Sequence, residues 1–175
     1  MSLAEIIKST IREVPDFPKP GINFKDITPL LENPQLSSEI VNAMAEKFKN
    51  NVDAIVGVES RGFLFGMMLA QKLNIPFIMV RKQGKLPYKT IQYEYELEYG
   101  KAVIEMHFDS IKPGWRVIVH DDLLATGGTA VAASELVKMQ GGNIAGFAFV
   151  IELSFLRGAD KLKLYSKNII NLASF

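Results

Sequence analysis

Residues 117–129 read Val, Ile, Val, His, Asp, Asp, Leu, Leu, Ala, Thr, Gly, Gly, Thr: an apolar run, two adjacent carboxylates, then small and hydroxyl residues. Gly127 and Gly128 allow a ligand to approach the backbone, and a helix opening there would point its free N–H groups at whatever fills the loop. With Ala125 leaving room and Thr126 and Thr129 adding hydroxyl donors, the segment meets the requirements of a phosphate cradle. Asp121 and Asp122 would repel a second phosphate, but they suit the vicinal hydroxyls of a sugar or a bridging magnesium ion. The expected ligand is a ribose phosphate. Taken without its neighbours, segment 126–129 also reads as a plain helix cap and the acids as an exposed turn. Neither GxGxxG nor GxxxxGK[ST] occurs in the chain, which disfavours dinucleotide and P-loop readings.

Two further clusters carry anion chemistry. Glu59, Ser60 and Arg61 stand between Gly57 and Gly62, so helix-start N–H groups, the Ser60 hydroxyl and the Arg61 fork can jointly bind a diphosphate; the plainer alternative is a surface Glu–Arg pair. Arg81, Lys82 and Lys85 gather around Gly84, the combination of charge and flexibility that a lid over pyrophosphate needs; the alternative is a solvated basic loop.

The elements that must position these clusters follow from periodicity. Leu3, Ile6, Ile7, Ile11 and Val14 predict a helix that stops at Pro15. The proline-rich segment beyond it is expected as a stiff, extended loop. Leu36, Ile40, Met44 and Phe48 mark a second helix, with Ser37 or Ser38 as its cap and Glu39 in its first turn. Apolar runs at 54–58, 76–80 and 117–119 predict strands buried on both faces, with helices over 63–73 and 129–140, the latter ended by Gly141 and Gly142. A further run at 144–151 completes another crossover unit, and 169–175 is expected as a closing strand or packed tail. Tyr93, Tyr95, Leu97 and Tyr99 alternate with Glu94, Glu96 and Glu98, and Val103 and Glu105 continue beyond Gly100, predicting a two-stranded ribbon outside the main pattern. The expected fold is a single α/β domain over 1–175 with an open, mostly parallel twisted sheet flanked by helices. In such sheets ligands sit beyond the carboxyl ends of the strands, after Val58, Val80 and Val119.

Composition narrows the function. Twenty Lys and Arg against 19 Asp and Glu give a formal charge of +1, so no global field attracts nucleic acid or an anionic membrane. With no cysteine and two separated histidines, His107 and His120, thiolate chemistry is excluded and a protein-built zinc site is disfavoured. The charged first turns lack the apolar core of a secretory signal and no stretch has the length of a membrane span, so a cytoplasmic protein is expected.

In its strand-to-helix setting, segment 117–129 resembles the phosphoribosyl pyrophosphate signature of the type I phosphoribosyltransferases. Ser60, Arg61, Gly62 and Phe63 following Glu59 resemble the pyrophosphate loop of the adenine phosphoribosyltransferases. Leu97, Glu98, Tyr99 and Gly100 look like their lid, and 15–27 like the hood that covers the purine. The likeness runs over about 14–151. It departs from the family's usual residues at His120 (usually aliphatic), Lys25 (often arginine) and Asn23 (often aliphatic). His120 is expected to be neutral and hydrogen-bonded.

The resemblance implies a hood and N-terminal helix over about 1–35, a flexible lid ribbon over about 81–106, and a cis peptide near Glu59 and Ser60. It implies transfer of the 5-phosphoribosyl group from phosphoribosyl pyrophosphate to adenine, giving AMP and pyrophosphate in purine salvage. Magnesium would be held by the ligand rather than directly by protein, and the enzyme would be a homodimer. Glu98 would be catalytic, handling the purine proton. Asp121 and Asp122 would bind the ribose, and Ala125, Thr126, Gly127, Gly128 and Thr129 the 5′-phosphate. Glu59, Ser60, Arg61, Arg81, Lys82 and Lys85 would form the pyrophosphate side. Phe24 would stack on adenine while the backbone of Asn23 and Lys25 reads its edge. The alternatives are a hypoxanthine, guanine or xanthine phosphoribosyltransferase, or a non-catalytic sensor of phosphoribosyl pyrophosphate.

Overall fold

The computed structural model describes residues 1–49, 52–96 and 100–175. Its first helix, α1 (Leu3–Thr10), opens on a reciprocal cap: the Ser2 hydroxyl accepts the Glu5 N–H while the Glu5 carboxylate accepts the Ser2 N–H. It ends earlier than the apolar spacing predicts. Ile11 is extended, and Arg12–Pro15 forms β1, paired antiparallel with β2 (Asn23–Asp26) in a separate two-stranded sheet. The proline segment is therefore not one extended loop; only 16–22 is loop. Pro15 is tolerated because it ends a strand with a single partner, where a missing N–H costs little.

A short helix, α2 (Thr28–Leu31), precedes α3 (Pro34–Lys47). Neither Ser37 nor Ser38 caps α3. Asn33 does so, its side-chain oxygen accepting the Leu36 N–H at 3.1 Å, and Pro34 begins the helix with its φ already set. Ser37 is buried and donates to the Leu30 carbonyl at 2.8 Å.

The main sheet follows: β3 (Ala54–Val58), α4 (Gly62–Leu73), β4 (Phe77–Lys82), β5 (Thr90–Glu96), β6 (Lys101–His107), β7 (Arg116–Leu124), α5 (Gly128–Met139), β8 (Asn143–Glu152), α6 (Gly158–Leu162) and β9 (Ile169–Ser174). Seven strands lie in the order β5-β6-β4-β3-β7-β8-β9. The pairs from β4 through β9 are parallel, and β6 runs antiparallel to both β4 and β5. The ribbon is thus not outside the main pattern: Arg81 pairs with Glu105 and Lys82 with Ile104, which makes it the edge of the same sheet. β7 also outruns its apolar residues, carrying Asp121 and Asp122 within the strand beside β8. The tail is a strand, β9, parallel to β8. Among the described residues no helix is long and apolar enough to cross a membrane.

Apolar side chains fill both faces. Ile7, Ile40, Met44, Ile55, Phe65 and Ile118 form one core with α1, α3 and α4, while Val56, Val119, Leu136, Val137 and Phe147 form the other with α5. The helices following β3 and β7 therefore leave the sheet on opposite sides, opening a crevice at the carboxyl ends of these neighbouring strands. Glycine lets α4 close tightly there: a methyl group at Gly57 would lie 2.4 Å from the Phe77 ring, and one at Gly66 2.8 Å from it.

His120 is fully buried on β7. It is neutral as expected, but among the described residues neither ring nitrogen meets a partner with hydrogen-bond geometry. Burial lowers its pKa to about 4, against a weak opposing pull from the Ala148 backbone. Since the folded value lies below the ordinary histidine value, this residue's stabilising effect is intact above about pH 6.5 and is lost as pH falls toward 4. Urea unfolding between pH 7 and 4 should therefore show a loss of about 3 kcal/mol traceable to this group, and His120→Val should remove that part of the slope; identical pH profiles for both proteins would refute the assignment.

Candidate active site

The strand-to-helix turn after β3 holds the first candidate group. Its Glu59–Ser60 peptide is cis, as the resemblance predicts, and Arg61 stands at the N-cap of α4. Arg61 Nε lies 3.2 Å from Asp122 Oδ2 on the adjacent β7. That approach is an ion pair too oblique for a hydrogen bond, so buried Arg61 Nη1 and Asp122 Oδ2 both lack hydrogen-bond partners among the described residues. Buried polar atoms left without a partner are uncommon and mark this pair as a place for a polar ligand.

Asp122 is 2 % exposed, and its backbone N–H donates to Asp121 Oδ1 at 2.8 Å. Burial, then the charge of Asp122, pushes the Asp121 carboxyl well above the usual carboxylate range. Burial also raises Asp122, with the Arg61 charge pulling it back. Burial and close approach thus bias the pair against carrying two full charges. Gly62 is required beside it, since a methyl group there would lie 2.9 Å from Asp121 Oδ1. Among the described residues no group of three or more His, Cys, Asp or Glu could hold a metal. The two acids could offer acceptor oxygens to hydroxyl donors or to the water shell of a cation.

Beyond Leu124, residues 125–129 curl around a small cavity of about 80 Å³, lined also by Asp121 and Phe149. Gly127 caps α5 at φ 79°, a left-handed conformation natural to glycine, and the first-turn N–H groups of α5 face the loop. Two contacts that sequence reasoning missed hold this loop. Gly158, opening α6, sits where a methyl group would lie 2.2 Å from the Ala125 carbonyl oxygen. The Tyr95 hydroxyl, from β5, lies 3.2 Å from Thr129 Oγ1. No spacing signal in the sequence links positions so far apart.

The basic segment is ordered by hydrogen bonds. Glu59 accepts from Arg81 Nε at 3.1 Å, from Arg81 Nη2 at 3.4 Å and from the Lys82 N–H at 3.0 Å, while Arg81 Nη1 donates to the Lys85 carbonyl at 3.0 Å. Burial works to raise Glu59, but Arg81 and the Lys82 amide overcome it and hold the carboxyl below its ordinary value. Glu59 therefore serves Arg81 rather than an incoming anion.

In the hood, alternation along β2 separates the three predicted residues. Glu13 accepts from Asn23 Nδ2 at 2.9 Å and pairs with Lys25, whose ammonium also lies over the Phe175 ring at 4.4 Å. Phe24 points the other way, with the Arg61 guanidinium 5.0 Å from its ring centre and Phe17 edge-on at 5.2 Å. Phe24, Arg61 and Asp122 are thus brought together, whereas the side chains of Asn23 and Lys25 turn aside. Glu98, with Leu97 and Tyr99, lies outside the described residues.

Gly158→Ala should force the 125–127 backbone to shift, lowering stability by about 1–3 kcal/mol and weakening AMP binding. Parallel thermal melts and AMP titrations check this; unchanged AMP affinity would show that α6 does not shape the loop.

The phosphoribosyl transferase domain matches residues 26–172. An adenine phosphoribosyltransferase of Cytophaga hutchinsonii is 52 % identical over 174 residues, covering 99 % of this chain and 96 % of that one. The crystal structure of an adenine phosphoribosyltransferase from Thermoanaerobacter pseudethanolicus superposes with a TM-score of 0.94 at 48 % identity, covering 98 % of this chain and 99 % of the other. The Saccharomyces cerevisiae adenine phosphoribosyltransferase, complexed with an imino-altritol bisphosphate and adenine, gives 0.90 at 41 % identity, covering 97 % and 98 %. Half the residues shared along nearly the whole length, with the same fold and the two anion loops inside the matched domain, place the chain in the phosphoribosyl transferase family, among the adenine phosphoribosyltransferases.

Proposed function

We propose that this chain moves the 5-phosphoribosyl group of phosphoribosyl pyrophosphate onto adenine, with the residues described above dividing the work. The observation that carries the reading is the convergence of Arg61, Asp122 and Phe24 at the crevice between β3 and β7. The bond from ribose C1 to the pyrophosphate oxygen breaks, its electron pair leaving with pyrophosphate. The N9 lone pair of adenine forms the new bond to C1, and the ring gives up a proton. Positive charge grows on the sugar as this happens, so placement and electrostatics dominate catalysis.

Residues 125–129 grip the 5′-phosphate, and Asp121 and Asp122 accept from the ribose hydroxyls. Arg61, with Ser60 and the helix N–H groups behind it, faces pyrophosphate, joined by Lys85 and Lys82, while Arg81 is held against Glu59. Phe24 offers its ring to the purine and the backbone of Asn23 and Lys25 reads the base edge. Glu98 takes the purine proton. Magnesium, when bound with the substrate, supplies positive charge to the departing oxygens. That the yeast relative was crystallised with adenine and an imino-altritol bisphosphate supports adenine and a phosphorylated sugar as the two ligands.

The chain works in the cytoplasm as a homodimer, and Leu64 and Met67, exposed on one face of α4, offer apolar surface to a second copy. Sedimentation at micromolar concentration should give twice the chain mass; a single-chain mass would overturn it.

Given phosphoribosyl pyrophosphate and magnesium, the protein should release pyrophosphate with adenine but not with hypoxanthine, guanine or xanthine, and chelating the metal should abolish release. In the same assay Glu98→Gln should cut turnover by about 10²–10⁴ with phosphoribosyl pyrophosphate binding nearly unchanged. Release with another base in place of adenine rejects the substrate, and undiminished turnover in the variant rejects the role of Glu98.

A further inference from the structure

The inner strand of the ribbon carries a buried acid that the reaction does not use. Glu105 on β6 is 2 % exposed, and both of its oxygens accept hydrogen bonds. Oε1 accepts the Lys85 and Leu86 N–H groups, each at 2.9 Å, and Oε2 accepts Thr90 Oγ1 at 3.3 Å and Gln92 Nε2 at 3.2 Å. All four donors are uncharged. Burial works to raise this carboxyl, but the amides of Leu86 and Gly84, the Gln92 side chain and the Lys85 amide hold it below the usual range, so it is ionised at neutral pH.

The segment it grips is the basic turn. Gly84 stands at φ 79°, Gln83 N–H donates to the Val103 carbonyl at 3.1 Å, and Lys85 N–H also approaches the Lys82 carbonyl at 3.2 Å. The Lys85 peptide is therefore held at both ends: its N–H by Glu105 and its carbonyl by Arg81, which Glu59 holds in turn. A continuous chain of hydrogen bonds runs from Glu105 through Lys85 and Arg81 to the first residue of the turn bearing Ser60 and Arg61.

We propose that Glu105 is a positioning residue for pyrophosphate: without touching the ligand, its carboxylate folds 82–86 into the shape that presents Lys85 to the diphosphate. The inference rests on the pyrophosphate assignment made above. It has a signature that neither electrostatics nor simple structural support shares. Removing a negative charge beside an anion site should tighten anion binding by Coulomb's law, whereas releasing the turn should weaken it.

The test is calorimetric titration of pyrophosphate with magnesium, and separately of AMP, into the wild type, Glu105→Gln, Lys85→Gln and the double variant. Glu105→Gln should weaken pyrophosphate about tenfold or more while leaving AMP affinity unchanged, and should add nothing in the Lys85→Gln background. Should the glutamine variant not fold, Glu105→Asp keeps the charge but withdraws it by one methylene from the Lys85 and Leu86 amides; the same loss is expected. Pyrophosphate binding as tight as wild type or tighter, in whichever variant folds, overturns the inference alone. A wild type that does not bind pyrophosphate overturns the underlying assignment and this inference with it.

Discussion

Two carboxylates side by side at the end of a buried strand, facing a single arginine across an oblique 3.2 Å contact, are the constraint around which the molecule is arranged. Water cannot solvate Asp122, and the charge of Asp122 in turn disfavours charge on Asp121, so the pair leans on Arg61 for compensation. The open valences of Asp122 Oδ2 and Arg61 Nη1 leave the site chemically unsatisfied without a ligand. Hydroxyl or cationic donors are the chemistry that would complete it. Everything nearby keeps that deficit in place: Gly62 admits the Asp121 carboxylate, Gly57 and Gly66 admit Phe77, and α4 thereby starts against the acids instead of a few ångströms away.

The two anion loops sit on neighbouring strands whose helices depart to opposite faces, and each is braced by a part of the chain remote in sequence. Gly158 supports the loop after β7 from beyond the sheet, and Glu59 draws the basic turn toward the loop after β3. The hood brings the Phe24 ring to the Arg61 guanidinium, while strand alternation sends the side chains of Asn23 and Lys25 toward Glu13.

Much of this was legible in the sequence, and the failures have physical causes. The parallel core strands, both anion loops and the glycine-ended α5 could be read because apolar runs, small residues and helix-start chemistry are local signals. The proline segment misled because proline weighs against strands in general yet is harmless at the end of a two-stranded pair, where β1 places it. Ser37 resembled a cap, but Asn33 followed by Pro34 sets the start of α3 earlier and leaves the serine in the core. The ribbon's alternation revealed its strands but not its docking to β4, since edge pairing is a tertiary choice. The sequence reading of His120 as neutral agrees with its burial, but the hydrogen bonds expected of it are not found among the described residues. Alternation put Tyr95 and Glu105 on the ribbon, but their contacts, and that of Gly158, left no trace because each joins residues well separated along the chain.

The contact of Tyr95 with Thr129 joins the outermost strand of the sheet to the front of a helix that springs from its middle. Ribbon and helix are therefore latched at the first turn of α5. A displacement of the sheet's edge would be felt at the helix start, so the outermost strand and the 125–129 loop cannot move independently while the latch holds.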